Sequence, residues 1–196
     1  MKKRVLSLLL AVVMVWSLLP TAVFAADGEL SGSGTEDDPY RIAGAADLMA
    51  FAEMVNGGKS GICAELTAKI DLTGEDWVPI GSSSGTPYSG TFDGKYFTVT
   101  LDITADGSYE YEYIGLFGYL ENAAIRNLKT DGSIRVTADC QSYPVVGGIA
   151  ACVGSYSGFT NCKNATAITV GEDTGLNGNG DLDVIMAQVD RLPLKH

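Results

Sequence analysis

The chain has 196 residues and a formal net charge of −11, from 13 basic and 24 acidic side chains. A length of this order accommodates one principal core. The acidic balance excludes generic nucleic-acid or anionic-membrane binding, which requires clustered Lys and Arg. The only histidine is the last residue, His196, which argues against Ser-His-Asp triads and multi-histidine zinc sites. With 46% hydrophobic residues and 24 glycines, the composition favours a folded, turn-rich chain.

Residues 1–25 have the order and dimensions of a secretory signal peptide. A basic start at residues 2–4 precedes an apolar run over residues 5–19, and Pro20 ends that run. We expect cleavage after Ala25, so that the protein meets a membrane only through this segment, during export. The alternative is an uncleaved anchor, although the apolar run is shorter than the ~20 residues that span a bilayer.

The next segment, residues 26–33, is predicted to be a polar leader, with structure beginning near Tyr40. One short amphipathic helix is then predicted over residues 45–55. Its apolar residues follow the helical spacing i, i+3, i+4, i+7, at Leu48, Phe51, Ala52 and Val55. We expect this helix to cap the open end of the fold that follows.

After Gly61 the pattern changes from helical to strand-like. Short runs of β-branched and aromatic residues are separated by Gly, Asn, Asp and Ser, at residues 66–72, 96–103, 114–120, 125–128, 133–137, 145–153 and 167–170. Short strands without intervening helices predict an all-β sandwich, barrel or solenoid.

An internal repeat favours the solenoid. Residues 115–118 align with residues 147–150 at an offset of 32, whereas Asn127 aligns with Asn161 at an offset of 34, and a two-residue insertion reconciles the two offsets. A repeated strand-turn-strand unit of this length buries its apolar face against the next coil. We therefore expect Asn127 and Asn161 at equivalent turns, with stacked side-chain amides, and Phe117 and Ile149 both pointing inward.

The repeat closely resembles a known family motif. Gly115, Leu116, Phe117 and Gly118, continued to Leu128, resemble the GLUG repeat of exported bacterial surface proteins, and the ordered segments upstream resemble the region that commonly precedes such repeats. The resemblance covers residues 33–170, with a degenerate second copy at Gly148 and Ala150. It implies a right-handed parallel β-helix over residues 34–170, often accessory to other modules such as the metallopeptidase of IgA-cleaving surface enzymes, and it brings no catalytic residues.

The segment 109–113 alternates tyrosine with glutamate. Strict alternation on a strand places Tyr109, Tyr111 and Tyr113 on one side and Glu110 and Glu112 on the other. The three rings could form a platform for a sugar or a peptide. In the alternative interpretation the rings pack over the solenoid while the glutamates face water.

The sequence leaves open whether the four cysteines form disulfides. Three pairings are possible among Cys63, Cys140, Cys152 and Cys162. The alternative is that they are small buried hydrophobic residues.

The C-terminal segment, residues 171–196, is predicted to be a Gly/Asn-rich linker with a fainter resemblance to one half of a dockerin. The resemblance places Asn177, Asn179, the Asp181 carbonyl and Asp183 on an EF-hand-like calcium loop. Gly175 and Met186 stand where the loop normally has acids, so a decayed dockerin or a plain turn is the alternative. We expect weak calcium binding or none, and no other cofactor; a working loop would dock to a cohesin.

These observations together favour an exported, non-catalytic surface, adhesion or ligand-binding module, whose ligand is an extracellular glycan or protein. One alternative is an accessory component of an extracellular polysaccharide-degrading assembly, tethered through residues 177–192. Another is a β-helix polysaccharide lyase or hydrolase. That enzyme would need acids and a Lys or Arg clustered in one groove, and the basic residues are scattered along the sequence.

Overall fold

The structure is a computed structural model that describes residues 30–137 and 144–171. The predicted signal peptide and the dockerin-like residues Asn177, Asn179, Asp181 and Asp183 lie outside the described residues. The elements follow one another in the order β1 (Tyr40–Ile42), α1 (Ala45–Asn56), β2 (Ala64–Leu66), β3 (Ile70–Asp71), β4 (Thr91–Asp93), β5 (Thr98–Ala105), β6 (Tyr113–Ile114), β7 (Phe117–Leu120), β8 (Ala124–Arg126), β9 (Lys129–Val136), β10 (Val145–Val146), β11 (Ala150–Val153), β12 (Gly158–Thr160), β13 (Lys163–Asn164) and β14 (Ala167–Val170).

The strands form a parallel β-helix. On the first face, which we call face A, the order is β1-β2-β4-β8-β12; on face B it is β3-β5-β9-β13, with β14 also pairing with β9. A third face contains the pairs β7-β11 and β6-β10. All of these strand pairs are parallel. The predicted all-β solenoid with one short helix is therefore confirmed.

Alternating side chains build the core, as the strand period requires. In β5 the even-numbered positions face outward or are half-buried, whereas Val99, Leu101, Ile103 and Ala105 are buried. The next coil repeats the arrangement, because Ile134 and Val136 of β9 lie beside Ile103 and Ala105. Each coil thus buries its apolar face against its neighbour.

Helix α1 completes the core through Phe51, which contacts the rings of Tyr40, Tyr88 and Phe92. The predicted stripe of Leu48, Phe51, Ala52 and Val55 is buried. Phe51 meets Tyr88 and Phe92 edge to face, with ring centroids 5.9 and 6.0 Å apart. Phe117 then stacks on Tyr88 at 5.5 Å and meets Phe92 edge to face at 5.3 Å.

The repeat register corrects one detail of the sequence alignment. Tyr113 pairs with Val145, Phe117 with Ala150, and Ala124 with Gly158, so the offset rises from 32 to 33 and then to 34. The single two-residue insertion is therefore wrong: one residue is added before Ala150 and another before Gly158. Phe117 pairs with Ala150 rather than Ile149, although Phe117 and Ile149 are both buried as expected.

The glycines of the motif are explained by close approach between coils. A Cβ on Gly118 would lie 2.5 Å from the carbonyl oxygen of Gly81, and a Cβ on Gly115 would collide with the carbonyl oxygen of Gly147. No side chain fits in these gaps, so the motif preserves the contact between neighbouring coils. Leu116, the second motif residue, is fully buried.

The predicted asparagine ladder is present. Asn127 and Asn161 have φ values of 52° and 55°, in the left-handed region that asparagine tolerates. The Asn161 amide donates to Oδ1 of Asn127 at 3.1 Å, and the Asn127 amide donates to Oδ1 of Asp93 at 3.0 Å. The two asparagines therefore occupy equivalent turns and link three successive coils.

The end of the predicted polar leader already contacts the fold. Leu30 packs against the core, and Ser31 forms an isolated β-bridge with Arg41.

The described cysteines form no disulfide with one another. Cys63, Cys152 and Cys162 are free, and Cys140 lies outside the described residues. Burial, opposed by local hydrogen bonds, raises the pKa of both the Cys152 and the Cys162 thiols.

Candidate ligand-binding clefts

A short loop between β3 and the third face separates two clefts. Oδ1 of Asp71 accepts hydrogen bonds from the Thr73 backbone N–H and hydroxyl, at 3.1 and 2.7 Å, and this turn ends β3. The indole N–H of Trp77 then donates to the carbonyl oxygen of Gly115 at 3.0 Å. The Trp77 side chain is buried, with 5% of the residue exposed, whereas the neighbouring Glu75 and Asp76 are exposed to solvent.

A second turn faces this loop. Oδ1 of Asp106 accepts hydrogen bonds from the Ser108 backbone N–H at 2.9 Å and from its hydroxyl at 2.6 Å. The chain reverses after β5, and the Tyr109 N–H donates to the Asp106 carbonyl at 3.0 Å. The rings of Tyr109 and Tyr111 meet edge to face at 5.5 Å. The turn thus presents two half-buried tyrosines beside the loop that carries Trp77.

The space between these two turns is a cleft of 480 Å³, which we call the tyrosine cleft. Its wall combines the two tyrosines with four acids, and it is lined by Gly74, Glu75, Asp76, Trp77, Val78, Asp102, Ile103, Thr104, Ser108, Tyr109, Glu110 and Tyr111. None of these lining residues, all in the described part of the chain, is basic. The cleft therefore offers aromatic surface in a negative field.

The three tyrosines of the alternating segment do not form one platform. They are half-buried and the two glutamates are exposed, as alternation predicts, but only Tyr113 lies in a strand. Tyr113 instead meets Tyr119 edge to face at 5.4 Å. The structure is closer to the alternative interpretation, in which the rings pack on the solenoid and the glutamates face water, because Tyr109 packs against the core and the Asp106 turn leaves residues 109–112 outside the strands.

A second cleft, the helix groove, lies on the other side of the same loop. Its volume is 670 Å³, and its wall is mainly apolar, being lined by Ala46, Met49, Ala50, Ala52, Glu53, Asn56, Gly57, Asp76, Trp77 and Val78. Asp76, Trp77 and Val78 belong to both clefts. Sequence reasoning predicted neither cleft, because the loop at residues 74–78 and helix α1 are brought together only by the fold.

A third cleft, of 460 Å³, lies over face A and carries charges of both signs. The strand register aligns Arg41, Glu65, Asp93 and Arg126 in successive coils. Lys95 contacts Glu65 at 3.0 Å and Asp93 at 3.8 Å, and Arg126 contacts Asp93 at 3.1 Å. Parallel stacking thus gathers residues that are scattered in the sequence into one ladder of ion pairs.

The ion pairs of this third cleft shift the pKa values of two of their members. The hydrogen bond from Lys95 to Glu65, with the negative charge of Asp93, raises the pKa of Lys95. Burial would raise the pKa of Asp93, but hydrogen bonds from the Lys95 backbone and the Asn127 amide, with two nearby cations, lower it overall. Both shifts favour the charged forms of the two side chains, as expected for paired ions.

Among residues 30–137 and 144–171, no group of three or more His, Cys, Asp and Glu side chains is placed to hold a metal ion. The predicted calcium residues lie outside those ranges. In the same ranges, no helix has the length and apolar character to cross a membrane.

Comparison with known proteins finds partial relatives. A scan against models of known families gives no match. A protein of Evansella cellulosilytica called "putative Gly-rich membrane protein" is 32% identical over 133 residues, which cover 65% of this chain and 14% of that protein. Halomucin of Haloquadratum walsbyi is 29% identical over 164 residues, covering 78% of this chain and 2% of halomucin. The chain therefore spans a small part of the length of either curated relative.

One solved structure is also similar. It is described as a "putative immunoglobulin A1 protease from Bacteroides ovatus" and matches with a TM-score of 0.48 and 24% identity, over 69% of this chain and 49% of that one. The strand pairing given above defines the β-helix without it.

Proposed function

We propose that the protein is an exported, non-catalytic module of a bacterial cell surface, and that it binds an extracellular ligand through the tyrosine cleft. The GLUG-like motif supports the class of protein, since its residues serve coil stacking: Gly115 and Gly118 allow close approach, and Phe117 fills the core. The motif therefore builds a scaffold, and the recognition surface lies in the loops beside it.

The tyrosine cleft is the observation that carries the proposal. Tyr109 packs against the core, and together with Tyr111 it places two half-buried rings beside the exposed acids Glu75 and Asp76. Tyrosine provides a large apolar face with a hydroxyl at its tip, which suits contact with sugars and with protein side chains. The volume of 480 Å³ lies in the usual range for ligand sites.

The location outside the cell is supported by two independent features. Residues 1–25 have the pattern of a signal peptide, and the two relatives carry the names of a membrane protein and of halomucin, which suit a cell-surface or extracellular setting. Export is tested by expressing the full chain in a bacterium and measuring the mass of the protein outside the cytoplasm. We expect a mature chain that starts at Ala26; a chain that stays in the cytoplasm at full length would contradict export.

The ligand site is tested by comparing variants on the same arrays. Wild type, Tyr111→Ala and Tyr156→Ala are applied to immobilised plant and bacterial glycans and to a peptide array. Tyr156 is a matched control because it is 91% exposed on the last described coil and lines none of the three clefts described above. We expect Tyr111→Ala to lose the ligands that wild type and Tyr156→Ala retain. Identical binding by all three chains would exclude the tyrosine cleft as the site.

The same arrays test the absence of catalysis. A glycan that is bound should be recovered with its chain length unchanged after incubation. Shortened or unsaturated products from wild type would favour the lyase or hydrolase interpretation instead.

A further inference from the structure

The helix groove and the tyrosine cleft adjoin across one shared wall. Asp76, Trp77 and Val78 line both, and the bond from the Trp77 indole to Gly115 holds that wall in place. A ligand long enough to pass over Asp76 would contact both clefts. The two clefts therefore form adjacent halves of one larger binding surface.

The two halves differ in chemistry. The helix groove is lined mainly by apolar residues, among them Ala46, Met49, Ala50 and Val78, and its two acids are Glu53 and Asp76. The tyrosine cleft contains the acids Glu75, Asp76, Asp102 and Glu110 with two tyrosine rings. Among the residues that line the two halves, all of them described, there is no Lys, Arg or His.

From this arrangement we infer that the surface binds an amphipathic, cationic segment of a protein partner. The inference rests on the proposed function, because it names the ligand of the same tyrosine cleft. Apolar side chains of the partner enter the helix groove, and its Lys or Arg side chains enter the tyrosine cleft. There the cations face carboxylates and lie against the electron-rich faces of Tyr109 and Tyr111.

A neutral glycan fits only half of this surface. Sugars can stack on tyrosine and donate hydrogen bonds to the carboxylates, but the mainly apolar wall of the helix groove would remove water from their hydroxyl groups and offer few hydrogen-bonding partners in exchange. An acidic glycan or peptide would in addition be repelled by four carboxylates. The combination of an apolar half and an acidic aromatic half thus selects a ligand with an apolar part and a positive part.

The test uses Trp77 as a reporter inside the site. The chain has two tryptophans, Trp16 and Trp77, and Trp16 lies in the predicted signal peptide, so the mature chain that starts at Ala26 has Trp77 in the shared wall as its single tryptophan. A short peptide of alternating leucine and lysine is titrated against it at low and high salt. The same peptide with glutamate in place of lysine, and a neutral xylan oligosaccharide, are titrated in parallel.

We expect saturable binding of the lysine peptide that weakens as salt rises, because the charges lie at an exposed rim. Asp76→Asn should weaken binding about three- to tenfold, as for one charge pair. The matched control Asp37→Asn, an exposed acid outside both clefts, should leave affinity unchanged; an equal loss would show attraction to the net charge alone and overturn the inference.

A filling variant tests the apolar half separately. Ala46 is exposed on α1 and lines the groove, so Ala46→Phe fills space without entering the core, and an unchanged melting temperature verifies its fold. We expect it to weaken lysine-peptide binding more than about tenfold. Unchanged affinity, or equal binding of the glutamate peptide, would overturn the inference. Binding of the oligosaccharide alone, lost in Tyr111→Ala, would overturn the inference while leaving the proposed function intact.

Discussion

At the scale of single residues, Asn127 combines a left-handed backbone conformation with hydrogen bonds to the neighbouring coils. Its backbone is left-handed, with φ of 52°, and its amide bridges Asp93 below and Asn161 above. Glycine would keep the backbone conformation but lose the bridge, and alanine would lose both. Asparagine at this turn therefore stabilises the fold through conformation and through hydrogen bonding.

We predict that the two substitutions separate these roles. Asn127→Gly removes two side-chain hydrogen bonds and should lower the free energy of unfolding by about 1–2 kcal/mol, since the usual net value of one such bond is about 1 kcal/mol. Asn127→Ala should lower it by about 1–2 kcal/mol more, because alanine is strained at positive φ. Urea unfolding of both variants measures the difference. Equal stability of the two would mean that the left-handed backbone is not retained in the variants.

Asp93 links the asparagine ladder to the ion pairs of face A. Its Oδ1 accepts from the Lys95 backbone N–H at 2.9 Å and from the Asn127 amide at 3.0 Å, while its Oδ2 contacts Arg126 at 3.1 Å. Although burial opposes the charge, these contacts lower the pKa of Asp93 in the folded state. The charged form is therefore favoured more strongly in the folded chain than in the unfolded one.

This shift predicts a defined pH dependence. A lowered pKa contributes stability that is present above the unfolded value of about 3.9 and is lost as the pH falls through the folded value. Wild type should thus exceed Asp93→Asn in stability at neutral pH, and the gap should narrow below about pH 4. Thermal melts of both proteins over this range measure the gap. A gap that stays constant down to the most acidic condition would show that the charge of Asp93 does not contribute.

At the scale of elements, Phe117 joins strand β7 to the aromatic core. It is fully buried and contacts the rings of Tyr88 and Phe92, which in turn contact Phe51 of α1. One side chain thus connects the third face, face A and the helix. Its removal affects three elements at once.

We predict that Phe117→Ala costs about 3–5 kcal/mol, the range for truncating a buried phenylalanine. A domain of this size has a total stability of about 5–15 kcal/mol, so the melting temperature should fall clearly. Phe97→Ala is the matched control, because Phe97 is 37% exposed and should cost far less. If the two variants have the same melting temperature, Phe117 is not the core residue that its burial indicates.

The elements also show how far the sequence could predict the structure. The helical stripe Leu48 to Val55 and the repeat from Asn127 to Asn161 depend on local periodicity, and both predictions were confirmed. The two interpretations of Tyr109, Tyr111 and Tyr113 assumed a continuous strand, whereas the turn at Asp106 decides the path of residues 109–112. Asp106 and Gly107 form a dipeptide typical of turns, and this signal could have indicated the break.

The clefts could not be predicted for a different reason. The wall of the helix groove joins α1 to the loop at Trp77, and the ion-pair ladder joins Arg41 to Arg126 through two intermediate coils. Such neighbours are set by the register between coils. The register in turn depends on single-residue insertions, such as the one before Ala150, which an alignment of two short repeats does not locate.

At the scale of the whole molecule, the core becomes shallower toward the last described coil. Ile125 and Ile134 are nearly or fully buried, whereas their partners Phe159 and Ile168 are only partly buried. Strands β8 and β9 have neighbours on both sides, while β12 and β14 each pair on one side among the described strands. In a stacked fold each coil is stabilised by its neighbours, so this coil should be the least stable one described.

We therefore predict that amide hydrogen exchange proceeds from this end. Backbone N–H groups of β12 and β14 should exchange faster than those of β8 and β9, because local opening there exposes less apolar surface. Exchange measured by mass spectrometry on peptides covering residues 124–136 and 158–170 compares the two coils directly. A variant extends the comparison. Asn127→Gly removes the hydrogen bond that the Asn161 side-chain amide donates to Asn127, and it should accelerate exchange in β12 more than in β8. Equal protection of the two coils would mean that the last coil has a stabilising neighbour, either within the chain or in a partner.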